Sequence, residues 1–303
     1  MGDDPVIGDA LEELRRGHGL RWWVRRAAIY GLIGPYTRRV NPPGIDVPGA
    51  DWDTLVVLDA CRQDLFREVV GIERFDEYRT VPSRGSATVE WTKANWAGRD
   101  WPAVVYVTAN PYISKLTPDA FHEIRPVWET AFSTDHGTVL PGEVTDSAIE
   151  AAEQFPHKRL VVHYMQPHHP FLVDGWGDEY FHNPEAPDPW ERLEEGDRSR
   201  REVWDAYRDT LERTWPEVTR LLETLEGRTV LTSDHGNLLG ERLDPFPVRG
   251  FGHSIGLHVP ELVEVPWAVE ETGDRREVQS GAATERPVDR NLVEDRLEHL
   301  GYR

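Results

Sequence analysis

Short apolar runs at 54–58, 103–107, 160–164, 229–232 and 262–265 alternate with stretches of helical character at 61–70, 88–96, 144–155 and 201–226. A run that is apolar throughout has no solvent face to offer and reads as a strand covered on both sides. Strands of that kind separated by helices predict an α/β fold, with a mostly parallel sheet and helices on both faces. The last helical stretch carries an apolar stripe at spacings of three and four: Val203, Trp204, Tyr207, Leu211, Trp215, Val218, Leu222 and Leu225. Pro216 interrupts it and is expected to kink or divide that helix. With 303 residues, 39% of them hydrophobic, the chain can build one large α/β domain or two small ones. Reactive groups in such sheets collect beyond the carboxyl ends of the strands.

Four places put reactive side chains there. Asp234-His235-Gly236 follows the run 229–232; a carboxylate and an imidazole together suit a divalent metal, zinc or manganese first and magnesium or calcium second, although Asp-x-Gly alone also makes an ordinary turn. Asp59 ends the run 54–58, either as a metal ligand or as a helix cap, with Arg62 and Asp64 close behind. Gly85-Ser86-Ala87-Thr88 leads into a helix, where a hydroxyl is either a nucleophile beside an anion-binding terminus or a cap, with Glu90 in the first turn. His163 stands near the end of the run 160–164 and His168 and His169 follow it, and the adjacent pair before Pro170 points to metal or substrate binding. His253, freed by Gly252, is a later candidate.

Taken in order, these segments resemble the alkaline phosphatase superfamily, in the branch holding sulfatases and the phosphoethanolamine and phosphoglycerol transferases. Asp59-Ala60-Cys61-Arg62-Gln63-Asp64 resembles the acidic-x-x-Arg-x-Asp opening, whose first acid binds metal. Gly85-Ser86-Ala87-Thr88 is similar to Gly-Thr-x-Thr, whose second Thr is the nucleophile. Pro167-His168-His169-Pro170-Phe171 resembles His-x-Pro-Phe, and Ser233-Asp234-His235-Gly236 with Leu239-Gly240-Glu241 resembles Ser-Asp-His-Gly-x-x-Leu-Gly-Glu. The match spans about 53–266. It implies a three-layer sandwich of the alkaline phosphatase/sulfatase kind. It also implies metal-dependent hydrolysis or transfer of phosphate esters, with sulfate-ester hydrolysis and a non-catalytic metal-binding or interaction protein as the alternatives. The implied metal ligands are Asp59, Thr88, Asp234, His235 and His253; the nucleophile is Thr88, then Ser86, then Thr80, with His168 assisting. Arg62, His168, His169 and His253 are implied to meet the substrate, a small-molecule, glycan-linked or lipid-linked ester. Two departures stand out. Thr80-Val81-Pro82-Ser83-Arg84 has Thr where sulfatases carry the Cys or Ser that becomes formylglycine, and Ala60 stands where sulfatases place a second metal-binding Asp.

Residues 1–50 lie outside that match and read as a basic, Trp-containing helical extension; 51–303 read as the catalytic domain, with 174–200 as an acidic, Pro/Gly-rich loop, lid or disordered insertion. Leu11–Arg16 and residues 20–36 mix apolar residues with Arg21, Arg25 and Arg26, with Arg38 and Arg39 just beyond. The segment around 10–39 is either a helix packed on the domain or an amphipathic segment resting on a membrane surface or partner. Fifty-four acidic residues against 34 basic give a net charge of −20, and the only lysines are Lys93, Lys115 and Lys158. Such a balance reads as salt adaptation or as an acidic cytosolic protein, and it argues against nucleic-acid binding. With Cys61 as the one cysteine, no basic leader at 1–4 and no apolar run near 20 residues (27–34 is the nearest), the expectation is a reduced, cytoplasmic protein, or one peripheral at the inner membrane face.

Overall fold

The computed structural model describes residues 20–41, 43–176, 186–282 and 289–300. An arm comes first, made of α1 (Leu20–Ala28), a π-helical turn (Ile29–Ile33) and α2 (Gly34–Val40). Then follow β1 (Thr54–Leu58), α3 (Gln63–Val69), β2 (Glu77–Pro82), α4 (Thr88–Asn95), β3 (Trp101–Thr108), α5 (Pro111–Leu116), β4 (Phe121–Pro126) and the single turn α6 (Val127–Thr130). A ribbon of β5 (Phe132–Ser133) and β6 (Thr138–Val139) leads into α7 (Pro141–Gln154) and β7 (Arg159–Tyr164). The remainder comprises α8 (Pro189–Glu195), α9 (Arg200–Thr224), β8 (Gly227–Thr232), the ribbon β9 (Leu238–Arg242) and β10 (Arg249–Gly252), α10 (Pro260–Val263), β11 (Glu264–Thr272) and α11 (Arg290–His299).

Seven strands make one sheet in the order β2-β11-β8-β1-β7-β3-β4. From β8 across to β4 every pairing is parallel, while β11 runs antiparallel to both β8 and β2. Side chains alternate across the sheet. Val56, Leu58, Val105, Val107, Leu160, Val162 and Leu231 face α3, α7 and α9, where Phe66, Val144, Val203, Tyr207 and Leu211 meet them. Leu55, Val57, Val104, Tyr106, Val161 and Val230 face Trp91 and Trp96 at α4 and Ile113 of α5. Both faces are covered, so the fold is the three-layer α/β arrangement that the apolar runs require. Leu55, Val56, Val57 and Leu58 are all 0% exposed. At about 1.5–3 kcal/mol each, their gross burial rivals the net stability of a whole domain, which makes β1 the strand the sheet is built around.

Three expectations are corrected. The run 262–265 is not a short parallel strand: 260–263 form α10, and β11 continues to Thr272 in the antiparallel sense, past Pro266, which breaks the apolar run. Pro216 does not divide α9, which runs unbroken for 25 residues. The lost N–H and the clash cost about 3 kcal/mol, and buried Val203, Tyr207 and Leu211 before the proline and Val218, Leu221 and Leu222 after it hold both halves against the core. Within 174–200, residues 189–195 form α8, capped by Asp188 and Glu191 in a reciprocal capping box. Its Trp190 is buried, with ring centroids 6.0 Å from Phe171 and 6.1 Å from Tyr207. Residues 177–185 of that segment, like the 11–16 stretch, lie outside the described residues.

The arm is anchored by Ile29 and Ile33, which pack with Leu238, Leu243, Leu257, Val259 and Leu262. Asn41 Nδ2 donates to His258 O, and His258 N–H donates to Thr37 Oγ1 at 3.1 Å. Beside this buried row runs an exposed one, with Leu32 56% exposed against 0% for Ile33. Ile33→Ala is therefore expected to lower stability by about 2–5 kcal/mol through the cavity it leaves. Leu32→Ala should shift it by no more than about 0.5 kcal/mol. Urea midpoints of the two variants read the difference directly.

Candidate metal and ester site

The carboxyl ends of β1, β3, β7 and β8 and the start of α4 converge on one buried cluster. Asp59 leaves β1, Asn110 follows β3, His163 sits within β7, Asp234 and His235 follow β8, and Thr88 opens α4; all six are 0% exposed. The loops are set by backbone devices. Ala60, directly after Asp59, has a left-handed backbone at φ 56°, a conformation costing an L-residue about 1–2 kcal/mol. It turns the Ala60 N–H onto Asp234 Oδ1 at 2.9 Å, and the next N–H, of Cys61, onto Ser233 Oγ at 2.9 Å. These bonds lock the end of β1 to the end of β8. Gly85 permits the approach to α4: a Cβ there would lie 2.3 Å from Trp91 N.

Thr88 Oγ1 occupies the centre. It donates to Asp234 Oδ2 at 2.7 Å, and it lies 3.3 Å from His235 Nε2 and 3.5 Å from Asp59 Oδ2. His235 Nε2 is in turn 3.5 Å from Asp234 Oδ2 and 3.8 Å from Asp59 Oδ1. Four ligands around a tetrahedral ion at about 2.0–2.1 Å stand roughly 3.3 Å apart, a value these separations bracket. The donor set of two carboxylates, one imidazole and one hydroxyl fits a divalent cation. Electrostatics points the same way. Burial, then the charge of Asp234, pushes the Asp59 carboxyl above the usual carboxylate range.

The imidazoles share one orientation. The ring Nδ1 of His235 faces Gly236 O at 2.8 Å, that of His253 faces Asn237 Oδ1 at 2.9 Å, and that of His168 faces the His169 carbonyl. Each acceptor is a carbonyl oxygen, so each Nδ1 carries the proton and each Nε2 keeps its lone pair, the arrangement of metal-binding histidines. The His235 and His253 rings are 4.6 Å apart, His253 and His168 5.2 Å, and His168 and His169 stack at 4.5 Å. Burial, followed by the neighbouring imidazoles, pushes His168 and His253 far below their usual range, and burial alone lowers His169 to about 3. Near pH 7 these three are neutral acceptors rather than cations.

The other sequence candidates lie elsewhere. Ser86 Oγ lies 2.9 Å from both Glu90 Oε2 and Ser254 O, the two acceptors for its single proton, so it serves the loop beside α4. The Arg62 guanidinium is engaged by both oxygens of Asp64, by Glu241 at 2.8 Å and by Asn237 O at 3.0 Å. It braces the loop after β8. Thr80 is exposed on β2. Of two further groups at the centre, Asn110 is not a sequence candidate, and His163 is one only as a member of the three histidines at its strand end. Asn110 Nδ2 donates to Asp59 Oδ2 at 2.7 Å. His163 places Nε2 3.3 Å from Asp59 Oδ2 while Nδ1 meets the Tyr106 hydroxyl at 3.0 Å. Asp59, His163 and Asp234 offer ligand atoms that all lie within 4.8 Å of one another. The signal for His163 was available: an imidazole in an otherwise apolar, doubly covered strand has no reason to be there but a polar partner.

No protein-family model matches the chain, and no curated protein does. Among solved structures, the chain is similar to the soluble domain of lipooligosaccharide phosphoethanolamine transferase A from Neisseria meningitidis, at 13% identity and a TM-score of 0.47, covering 72% of this chain and 75% of that one. It is also similar to the C-terminal periplasmic domain of EptC from Escherichia coli in complex with Zn, at 13% identity and a TM-score of 0.42, covering 76% and 77%. The lipoteichoic acid synthase LtaP from Listeria monocytogenes is similar at 11% identity and a TM-score of 0.45, covering 81% and 73%.

His163→Gln is expected to weaken binding of Zn²⁺ or Mn²⁺ by roughly 10–100-fold, the usual effect of removing a group that orients or completes a metal shell. Titration calorimetry on the refolded, metal-stripped protein measures it, and unchanged affinity would remove His163 from the site.

Proposed function

We propose that the chain is a metal-dependent phosphoester hydrolase or phosphotransferase with Thr88 as its nucleophile. The observation that carries this reading is the position of Thr88 Oγ1, buried among Asp59, Asp234 and His235 at 2.7–3.5 Å. A hydroxyl used only as a helix cap has no need of two carboxylates and an imidazole around it. Asp59, Asp234, His235 and Thr88 would hold the ion, zinc or manganese by donor type. A divalent cation bound there lowers the pKa of an adjacent hydroxyl and offsets the charge of a phosphate.

The chain's own residues divide the remaining work. Thr88 Oγ1 forms a bond to phosphorus as the bond from phosphorus to the leaving oxygen breaks, giving a phosphothreonine. Its proton passes along the hydrogen bond to Asp234 Oδ2, and the departing alkoxide takes a proton from water, leaving hydroxide. Water, or an acceptor alcohol, then attacks phosphorus as the bond from phosphorus to Oγ1 breaks; the attacking group's proton goes to that hydroxide, and Oγ1 recovers its own from Asp234. Asn110 and the Ala60 N–H hold the two carboxylates in place through both steps. His168 and His253 present neutral Nε2 atoms to the substrate's hydroxyl groups or to a second ion. His253 is the most exposed of the cluster's histidines, so the ester enters on its side. In a chain of net charge −20, a bound cation is also what allows an anionic ester to approach.

Asp234→Ala is expected to lose both metal content and hydrolysis of an aryl phosphate. Thr88→Ala removes one of the four ligands and should weaken metal binding without abolishing it; with the site saturated in metal it should still lose turnover by a factor of at least about 10³ and yield no phosphoprotein, while Ser86→Ala keeps turnover. Assays run in parallel on aryl monoester, diester and sulfate substrates identify the ester. Wild-type turnover in Thr88→Ala would sink the scheme.

A further inference from the structure

The arm α1–α2 carries a charge opposite to that of the rest of the molecule. Residues 20–41 hold five arginines and no Asp or Glu, in a chain whose net charge is −20. Exposed apolar side chains recur along it four or eight residues apart: Val24 at 60%, Leu32 at 56%, Tyr36 at 42% and Val40 at 57% exposure, with Tyr30, 40% exposed, standing off that row. Ile255, 50% exposed, adds to it from the loop that the arm covers. There the Gly256 carbonyl would lie 2.9 Å from a Cβ on Gly34, and Gly256 itself lies against the Arg38 guanidinium. Arg26 stacks on Trp22 and Tyr30, at 4.6 and 5.6 Å from their rings. Arg38 and Arg39 are exposed at the far end of the row. Aliphatic side chains flanked by Trp, Tyr and guanidinium groups on one helical segment are the composition of an element lying in a lipid headgroup layer. No helix among the described residues is long and apolar enough to cross a membrane, so the contact is with a surface.

We propose that the row Val24–Leu32–Tyr36–Val40, with Arg26, Arg38 and Arg39, docks the protein on an anionic lipid surface. Charge selects this occupant. A second copy of the chain would bring another −20 against the first, whereas an anionic headgroup layer meets a segment with five arginines and no acid. Attraction acts within about a Debye length, roughly 8–10 Å at physiological salt, so the arginines beside the lipid count and the distant carboxylates do not. The inference goes beyond the phosphoester reading and stands without it. Its structural consequence is that the docking element is tied to the loop that starts at His253.

Co-sedimentation of the full chain with vesicles tests it. The protein is expected to pellet with vesicles of equal parts phosphatidylcholine and phosphatidylglycerol and to stay in solution with phosphatidylcholine alone. Two double variants, Leu32→Asp with Val40→Asp and Arg38→Gln with Arg39→Gln, should each lower partitioning by roughly ten- to thirty-fold. Their thermal midpoints and aryl phosphate turnover should match wild type. No pelleting with the mixed vesicles, equal pelleting with both kinds, or undiminished pelleting of both variants would overturn the proposal. So would a wild-type dimer in light scattering that the Leu32→Asp/Val40→Asp variant dissolves, since a second copy would then be the occupant.

Discussion

Two carboxylates, Asp59 and Asp234, are buried at the ends of adjacent parallel strands, and much of the architecture serves to keep them there. Their ligand oxygens lie within 4.8 Å of each other. Two like charges at that distance repel by about 3–4 kcal/mol at an effective dielectric of about 20. A neutral hydrogen bond returns only about 1 kcal/mol net, so the amide of Ala60, the amide of Asn110 and the hydroxyl of Thr88 reduce the repulsion without removing it. A divalent cation between the carboxylates reverses its sign. The fold therefore holds a repulsion that a bound cation would relieve. This is the expected condition of a functional centre rather than of a structural core.

Holding the carboxylates requires backbone geometry that regular elements do not supply. Ala60 takes a left-handed conformation without being glycine, and it does so where its N–H reaches Asp234. The strain is met locally: the Tyr207 hydroxyl donates to Ala60 O, and Arg62 N–H donates to that same hydroxyl oxygen at 3.2 Å. On the other strand, Gly236 packs where a Cβ would lie 2.2 Å from Glu261 O, which lets the Asp234–His235 turn sit directly over α10. Arg62, with its fork split between Asp64 and Glu241, spans the two turns. Its contribution is to the rigidity on which the spacing of the ligands depends.

The central strands were legible because burial on both faces leaves a mostly apolar run with no solvent-facing alternation, as in 54–58, 160–164 and 229–232. The edges were not. β2 pairs only with β11 and exposes Glu77, Arg79 and Thr80, so it carries no apolar run to read. β11 hides behind Pro266. α8 was masked by the acidic, proline-rich composition around it, although Asp188 and Glu191 stood at capping-box spacing. For the site, motif order pointed to Asp59, Thr88, His168, Asp234, His235 and His253, and the structure draws these together. It was silent on Asn110, which is separated from any motif and reaches Asp59 only because β3 lies one strand beyond β7. Register also explains His163. It is level with Val57 of β1 and Thr108 of β3, which puts its ring on the Tyr106 side of the sheet and its Nε2 beside Asp59. Neither relation can be seen before the strand order is known.

Glu90 joins the site to the arm. It stands two residues after Thr88 on α4, and its carboxylate accepts from Ser86 N–H and Oγ–H, from Gly256 N–H at 3.1 Å and from the His258 ring at 3.1 Å. Burial alone would raise this carboxyl, but the His258 and Ser86 hydrogen bonds outweigh it and hold the group at about 2. It stays an anion across the physiological range. One charge thus fastens the turn that delivers Thr88 to the loop 254–258, and that loop is the one Thr37 and Gly34 grip from the arm. Ser86, a plausible nucleophile by sequence, has its hydroxyl committed to this joint. The arm and Thr88 at the start of α4 are therefore linked through one partly buried carboxylate and the hydrogen bonds it accepts.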